Sequence, residues 1–480
     1  MIDRDRRPRV GLLLITTPRF RDLGAGTEGG VFRARKEAEA SRIREAVSAF
    51  ADPVFPGVVY TREDLASSMR SFDEAAVDMV FASFLSWSDD YAWIRFLRDM
   101  RPLPLLFASI TRDKLGFDDS LNEDRFVEFL SAGSLVGMLE ASGSASRFDR
   151  PMMSRAFGSL SEVMEKCGSF ACAAAIRGKL RDSSFGLLPS MNEVMWSTYI
   201  DIYDLFMKVG PETRFLTTAA LEKELAALAP AAVAAATERI LAAYPSDASV
   251  DRGKMEASVA ASLALETLSR KSGVDVLVLN DIEPTLMRLL GLRPGFTPCP
   301  GTEDVTVVPE GDIGGALAVY IMKLMTKKSV FFAEPFHIDN EKGIFAAGHA
   351  GPNDYTDPAG KTIISRDERF ARTDYKHAGA PFAWHTLSPG EKTMVHISQG
   401  ADAKGGRRFK LVCALVDALP CPHHLAGYSH GLFRPRMEPR LFFQKLMDIG
   451  VTQHYAIAAG DHRATLADLA AIMDFDFHHL

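Results

Sequence analysis

The chain has 480 residues, 47% of them hydrophobic and 24% charged, and a formal net charge of −7. That length exceeds one ordinary core, so roughly two to four domains are expected. A pI near 6.0 and a mean hydropathy of −0.01 exclude an extended nucleic-acid surface, and the basic runs at 4–9 and 404–410 read as solvated loops.

The first apolar run, residues 10–16, is bounded by charge and Pro18 and predicts a buried parallel strand. A helix follows at 33–50, then a strand at 54–60, a helix at 62–71, a strand at 78–84, a helix at 91–100 and a strand at 103–108. This alternation predicts a doubly wound α/β domain. The glycines of 24–30 lack G-x-G-x-x-G spacing, so no nucleotide fingerprint is read there. Residues 134–182 read as mostly helical and as the seam to a second α/β cycle, which begins at 184–190. The Ala-rich stretch 217–244 carries Glu222, Lys223, Glu224, Glu238 and Arg239 with Pro230 inside, and reads as two amphipathic helices instead of a membrane span.

The second cycle continues with a strand at 274–280 and a helix at 311–325. After about residue 340 the texture changes to short strand-like pieces at 343–347, 361–365, 392–397 and 409–415, set apart by Gly, Pro, Asn and Asp. A small antiparallel barrel or sandwich is expected there, closing with a strand at 452–459 and a helix at 465–473. The fold class is therefore α/β: two doubly wound α/β domains followed by a β-rich, barrel-like C-terminal domain, with boundaries at 1–165, 166–340 and 341–480. Five cysteines (Cys167, Cys172, Cys299, Cys413 and Cys421) match no zinc-module spacing. The opening Met-Ile-Asp-Arg-Asp-Arg-Arg-Pro lacks an apolar run behind it, so no signal peptide and a cytoplasmic location are expected.

Chemistry-bearing residues concentrate late in the chain. Glu310 follows an apolar run and precedes a helix, and Glu334 follows Val330-Phe-Phe-Ala. Carboxylates at the C-terminal ends of neighbouring strands suit a divalent cation, acid–base work, or both. A glutamate at a helix start also reads as a simple cap. All twelve histidines lie from His337 onward. Two stand in informative surroundings: His349 between glycines in Gly348-His349-Ala-Gly, and His454 in Gln453-His454-Tyr-Ala-Ile. His423 and His424 read as loop residues, and His478 and His479 as solvated.

The stretch Pro298-Cys-Pro-Gly-Thr-Glu-Asp-Val-Thr-Val-Val-Pro-Glu310-Gly-Asp-Ile-Gly-Gly-Ala-Leu, then Val330-Phe-Phe-Ala-Glu334, then Gly348-His349-Ala-Gly, resembles the L-fucose isomerase and L-arabinose isomerase superfamily. The ending Gln453-His454-Tyr-Ala-Ile-Ala-Ala-Gly-Asp461 and Trp87 in Phe81-Ala-Ser-Phe-Leu-Ser-Trp87 resemble the same family in the same order. Val308-Pro309 and His349-Ala-Gly depart from the family's Ala-Cys and His-Cys-Gly. The resemblance implies a three-domain aldose–ketose isomerase that uses a divalent cation, Mn²⁺ above all. It assigns Glu310 and Glu334 to metal binding and proton transfer, His454 and His349 to metal binding, and Trp87 to the substrate. It implies a small sugar substrate and a homo-oligomer, trimer or hexamer, with neither nucleic acid nor membrane as partner. Two other readings stay open. The same fold would serve epimerisation or an acidic or branched sugar met by Arg434 and Arg436, and two α/β lobes would serve a sugar-binding protein without catalysis.

Overall fold

The computed structural model describes residues 6–24, 31–112, 122–132, 134–299, 305–401, 406–423, 425 and 427–480. Residues 25–30 of the glycine-rich stretch, 300–304 of the family-like stretch, Lys404 and His424 lie outside them. The chain forms two compact units, Met1–Gly178 with Ala464–Asp474, and Lys179–Arg463 with Phe475–Leu480.

The first unit is built on five parallel strands, β1 (Arg9–Ile15), β2 (Asp52–Val54), β3 (Met79–Phe84), β4 (Leu105–Ile110) and β5 (Met153–Gly158), ordered β2-β1-β3-β4-β5. β3 is buried along its whole length, which is why its sequence is a continuous apolar run. The expected strand at 54–60 stops at Val54; only Val59 rejoins the sheet, through a bridge to Ile15, because Pro56 cannot donate to a ladder. β5 lies where helix was expected. It is an edge strand with Arg155 and Phe157 exposed, so it lacks the apolar run that marks its neighbours. The closing helix Arg463–Met473 also packs in this unit, where Asp468 pairs with Lys166 and accepts from Ser169 Oγ at 2.6 Å.

The second unit holds two sheets. The first is parallel, with β6 (Ser184–Leu188), β7 (Glu212–Phe215), β8 (Val276–Leu279) and β9 (Thr306–Val308) in the order β7-β6-β8-β9. The second comprises β10 (Phe331–Asp339), β11 (Ile344–His349), β12 (Lys361–Arg366), β13 (Pro381–Thr386), β14 (Gly390–Ala401), β15 (Arg407–Leu419), β16 (Ser429–Pro435), β17 (Tyr455–Ala459) and β18 (Asp476–His479). Its order is β12-β13-β16-β11-β10-β17-β14-β15-β18, and a further β15–β16 pairing closes the strands from β16 to β15 into an antiparallel barrel. Closure leaves those strands no free edge. β13 and β18 join its sides in parallel.

Two expectations are corrected here. The barrel begins at Phe331, so Glu334 belongs to β10 and not to the parallel sheet of the preceding α/β region. Glu310 and Glu334 therefore do not end neighbouring strands. β13, β16 and the helix Pro439–Ile449 were not read from the sequence at all; in β13, Trp384 and His385 mask the strand pattern although all six residues are buried.

The helix Ile313–Thr326 joins the two sheets. It contacts β8 and β9 on one side and β14, β17 and β10 on the other. Ile313 to Met322 are buried without a break, which accounts for a helix that is apolar nearly all round. Among the described residues no single helix is long and apolar enough to cross a membrane; the pair Thr218–Ala226 and Pro230–Ala243 reaches that length only through a 92° bend.

The barrel core is anchored by Phe345, wholly buried, stacked on Phe433 at 5.4 Å and Phe442 at 5.9 Å and edge-on to Phe443 at 5.2 Å. Phe345→Ala is expected to cost about 3–5 kcal/mol in urea unfolding. A loss below about 1 kcal/mol would contradict this packing.

Candidate metal centre

Asp281 and Glu310 follow the C-terminal ends of β8 and β9, adjacent parallel strands whose ends are the customary position for ligand-binding groups. Glu310 has a φ of +64°, a left-handed conformation that costs a non-glycine residue roughly 1–2 kcal/mol. Its backbone N–H donates to Asp281 Oδ1 at 2.9 Å, which helps to hold that conformation. Gly311 follows at a φ of +66°, and a Cβ there would stand 2.9 Å from the Asn192 backbone nitrogen. The turn thus needs glycine twice over: for conformation and for clearance. Asp312 then caps the helix, Oδ1 accepting from the Gly315 N–H at 2.9 Å. Glu310 is two residues before that cap, so the capping position expected of it falls to Asp312.

The barrel supplies the other groups. β10 lies between β11 and β17. Glu334 sits within β10 opposite Gly348, His349 ends β11, and His454 immediately precedes β17. His454 Nε2 is 3.2 Å from Glu310 Oε2 and 4.0 Å from Glu334 Oε2, while His349 Nε2 is 3.5 Å from Glu310 Oε1. One ligand atom each from Glu310, His349 and His454 falls within a mutual 4.8 Å. Glu310, His349 and His454 are thus brought together, and Glu334 approaches them beside His454. Trp87 is not among them: it follows β3 in the first unit, half-buried against Phe20 and under the Arg19 guanidinium.

Burial makes the cluster chemically pointed. Glu310 is 6% exposed and the two imidazoles 1% each, whereas the Glu334 side chain is 34% exposed. Glu310 Oε2, His349 Nε2 and His454 Nε2 have no aligned hydrogen-bond partner among the described residues. Three buried groups whose ligand atoms face one space form a set that a cation would complete. Phe332 walls the space, its ring 4.8 Å from that of His349 and 4.7 Å from that of His454. Imidazole and carboxylate together are donors that divalent first-row metals accept.

The surrounding charges prepare these ligands. Burial acts to raise the Glu310 carboxyl, but the flanking imidazoles of His349 and His454 outweigh it and hold the group well below the usual carboxylate range. Burial acts to lower His454, yet Asp312 and then Glu310 overcome it and raise the imidazole to about 10. Asp312 Oδ2 lies 2.8 Å from His454 Nδ1, the carboxylate–histidine pairing that fixes a ring so that Nε2 faces a metal. His396 Nδ1 holds the His454 carbonyl at 2.8 Å. At the open side, Tyr428 donates to Glu334 Oε1 at 3.2 Å; burial and the Glu334 charge push the phenol well above its usual range, so it remains a donor.

Asp281, Asp312, Arg293 and Tyr428 were not read from the sequence. Asp281 follows the apolar run ending at Leu279, the same signal that marked Glu334, and Asp312 stands at a helix start where an aspartate caps. Arg293 and Tyr428 carry no such mark. The remaining histidines are elsewhere engaged: His385 with Ser429, His430 with the Tyr428 carbonyl and His423 with the Lys361 carbonyl, while His337 is exposed. All five cysteines are free thiols. No protein-family model matches this chain, and no curated protein matches it.

At pH 7 the metal-free His454 holds a proton, because its pKa is raised to about 10. A cation ligated through Nε2 displaces that proton. Uptake of Mn²⁺ is expected to release about one proton, with affinity rising roughly tenfold per pH unit around neutrality. Calorimetry in buffers of differing ionisation enthalpy measures this, and proton-neutral binding would contradict the assignment.

Proposed function

We propose that the chain is a divalent-cation-dependent aldose–ketose isomerase acting on a monosaccharide through a cis-enediol, similar to the L-fucose and L-arabinose isomerases. The observation that carries this reading is the convergence of Glu310, His349 and His454, buried and unsatisfied, beside a carboxylate that still reaches solvent. The order of the sequence motifs supports the same class. Glu310, Glu334, His349 and His454 would hold the ion, with Mn²⁺ as the expected metal. When bound, such an ion polarises a carbonyl and makes the neighbouring C–H more acidic.

The chain's own residues divide the remaining work. Glu334, at the open side, removes the C2 proton of an open-chain aldose. The C–H electron pair forms the C1=C2 bond while O1 gains a proton, giving the enediol. Return of a proton to C1 and loss of the O2 proton leaves the ketose. Glu310, held ionised by its imidazole neighbours, serves the hydroxyl protons. Phe332 keeps water from the enediol side. A substrate role for Trp87 and association into a homo-oligomer belong to the same proposal.

An acidic sugar draws little support from the arginines first considered for it. Arg436 is engaged by Asp417 at 3.0 Å and Glu391 at 2.9 Å, and Arg434 is exposed on β16. A panel of neutral pentoses and hexoses with Mn²⁺ is therefore the first assay. Glu310→Gln and Glu334→Gln are each expected to lower kcat by about 10²–10⁴-fold with the circular dichroism spectrum unchanged. Chelation should abolish turnover. A Glu334→Gln variant with wild-type kcat would remove Glu334 from proton transfer, and sugar binding indifferent to chelation would favour a non-catalytic binder.

A further inference from the structure

Arg293 is the largest unspent polar group near the centre. It stands in the segment after β8, in Gly291-Leu-Arg293-Pro, and its side chain is 1% exposed. Only one edge of the guanidinium is tied down: Nε donates to Asp281 Oδ2 at 2.5 Å. Asp281 also receives the Glu310 backbone N–H, so one carboxylate positions both the arginine and the metal-ligand candidate. Nη1 and Nη2 have no hydrogen-bond partner among the described residues. Nη2 stands 3.7 Å from Glu310 Oε1, beyond hydrogen-bond length.

The fold makes room for this arrangement. Gly351, two residues beyond His349, has a φ of +97°, and a Cβ there would meet Nε, Cζ and Nη2 at 2.6 Å. A buried cation with two idle donor atoms is expensive, on the order of 1–3 kcal/mol for each unmade bond. Such a feature persists where a ligand completes it. The ligand atoms must be oxygens close to Glu310. They are better neutral than anionic, because Asp281, Glu310 and Asp367 already supply negative charge around the guanidinium.

We propose that Arg293 is a further catalytic residue, whose Nη1 and Nη2 donate to oxygens of a neutral sugar held beside Glu310, including the O1 on which negative charge grows as the carbonyl enolises. This rests on the isomerase reading. In the enolisation step the C2–H bond breaks and the C1=C2 bond forms, and the carbonyl π pair moves onto O1, where Arg293 meets it until O1 is protonated. Arg293 thus acts where the charge develops, and Asp281 keeps its fork aimed there.

The test compares Arg293→Lys, Arg293→Met and the double variant Asp281→Asn/Arg293→Met with wild type. Three readouts are taken: Mn²⁺ affinity by calorimetry, binding of a panel of C5 and C6 alditols to the Mn²⁺-loaded protein, and kcat and KM on neutral aldoses. Circular dichroism and retained Mn²⁺ binding confirm folding. The two single variants are expected to bind Mn²⁺ at least as tightly as wild type, and all three to bind alditols at least tenfold more weakly and to lose about 10²–10³-fold in kcat/KM, mainly in kcat. The double variant decides between roles. It removes the buried charge pair together, so an arginine that only balances Asp281 is dispensable there, and wild-type alditol binding in that variant would overturn the proposal. Wild-type kcat/KM in Arg293→Lys would also overturn it. A wild-type protein that binds alditols through Arg293 but converts no sugar would overturn the isomerase reading and with it the role at O1, leaving Arg293 as a donor to sugar oxygens; one that does neither would overturn that donor role as well.

Discussion

A carboxylate with 6% of its surface exposed must be ionised at a cost or matched by positive charge, and Glu310 is matched from three sides. His349 and His454 flank its two oxygens, and Arg293 stands behind Oε1. Desolvating a lone charge costs several kcal/mol, so none of these neighbours is incidental to the fold. Even so, the match is incomplete. The ligand atoms face one another without aligned hydrogen bonds, and the left-handed backbone at Glu310 adds strain. Unpaired buried groups and backbone strain of this kind gather at functional sites.

Two sheets of different kinds meet in that requirement. The parallel sheet delivers Asp281 and Glu310 from the ends of adjacent strands, and the barrel delivers Glu334, His349 and His454 from three adjoining strands. The helix Ile313–Thr326 packs on both, so its cap residue Asp312 can reach His454 across the junction. Glu334 and His349 are thereby fixed by sheet register, while Glu310 and His454 stand in the residues that flank β9 and β17. Only Glu334 remains half-exposed, with the Tyr428 hydroxyl as its partner. It is the one acidic group of the cluster open to an incoming molecule.

Much of this was legible in the sequence, for reasons that differ by element. The central strands of the first sheet and the helix Ile313–Thr326 are buried on all sides, so their apolar runs are unbroken and easily read. Glu334 stood out because a charge follows a run that must be buried, and His349 because glycines flank it in a small-residue segment. What failed to show was pairing. Nothing local says that β10 turns away from the parallel sheet into a barrel, since the strand pattern is the same in either. β5 and β13 were missed because an edge strand carries exposed residues and a strand rich in Trp and His lacks alternation. Arg293 gave no signal, because its meaning lies in two empty nitrogen positions that exist only once Asp281, Glu310 and Gly351 surround it.

Whether one ion joins the two sheets is a question for anomalous diffraction at the manganese edge from Mn²⁺-soaked crystals. A single anomalous peak bonded at once to Glu310, Glu334, His349 and His454 is the expected result. A protein that leaves this position empty at saturating Mn²⁺, or that binds the ion away from these side chains, would contradict the whole interpretation.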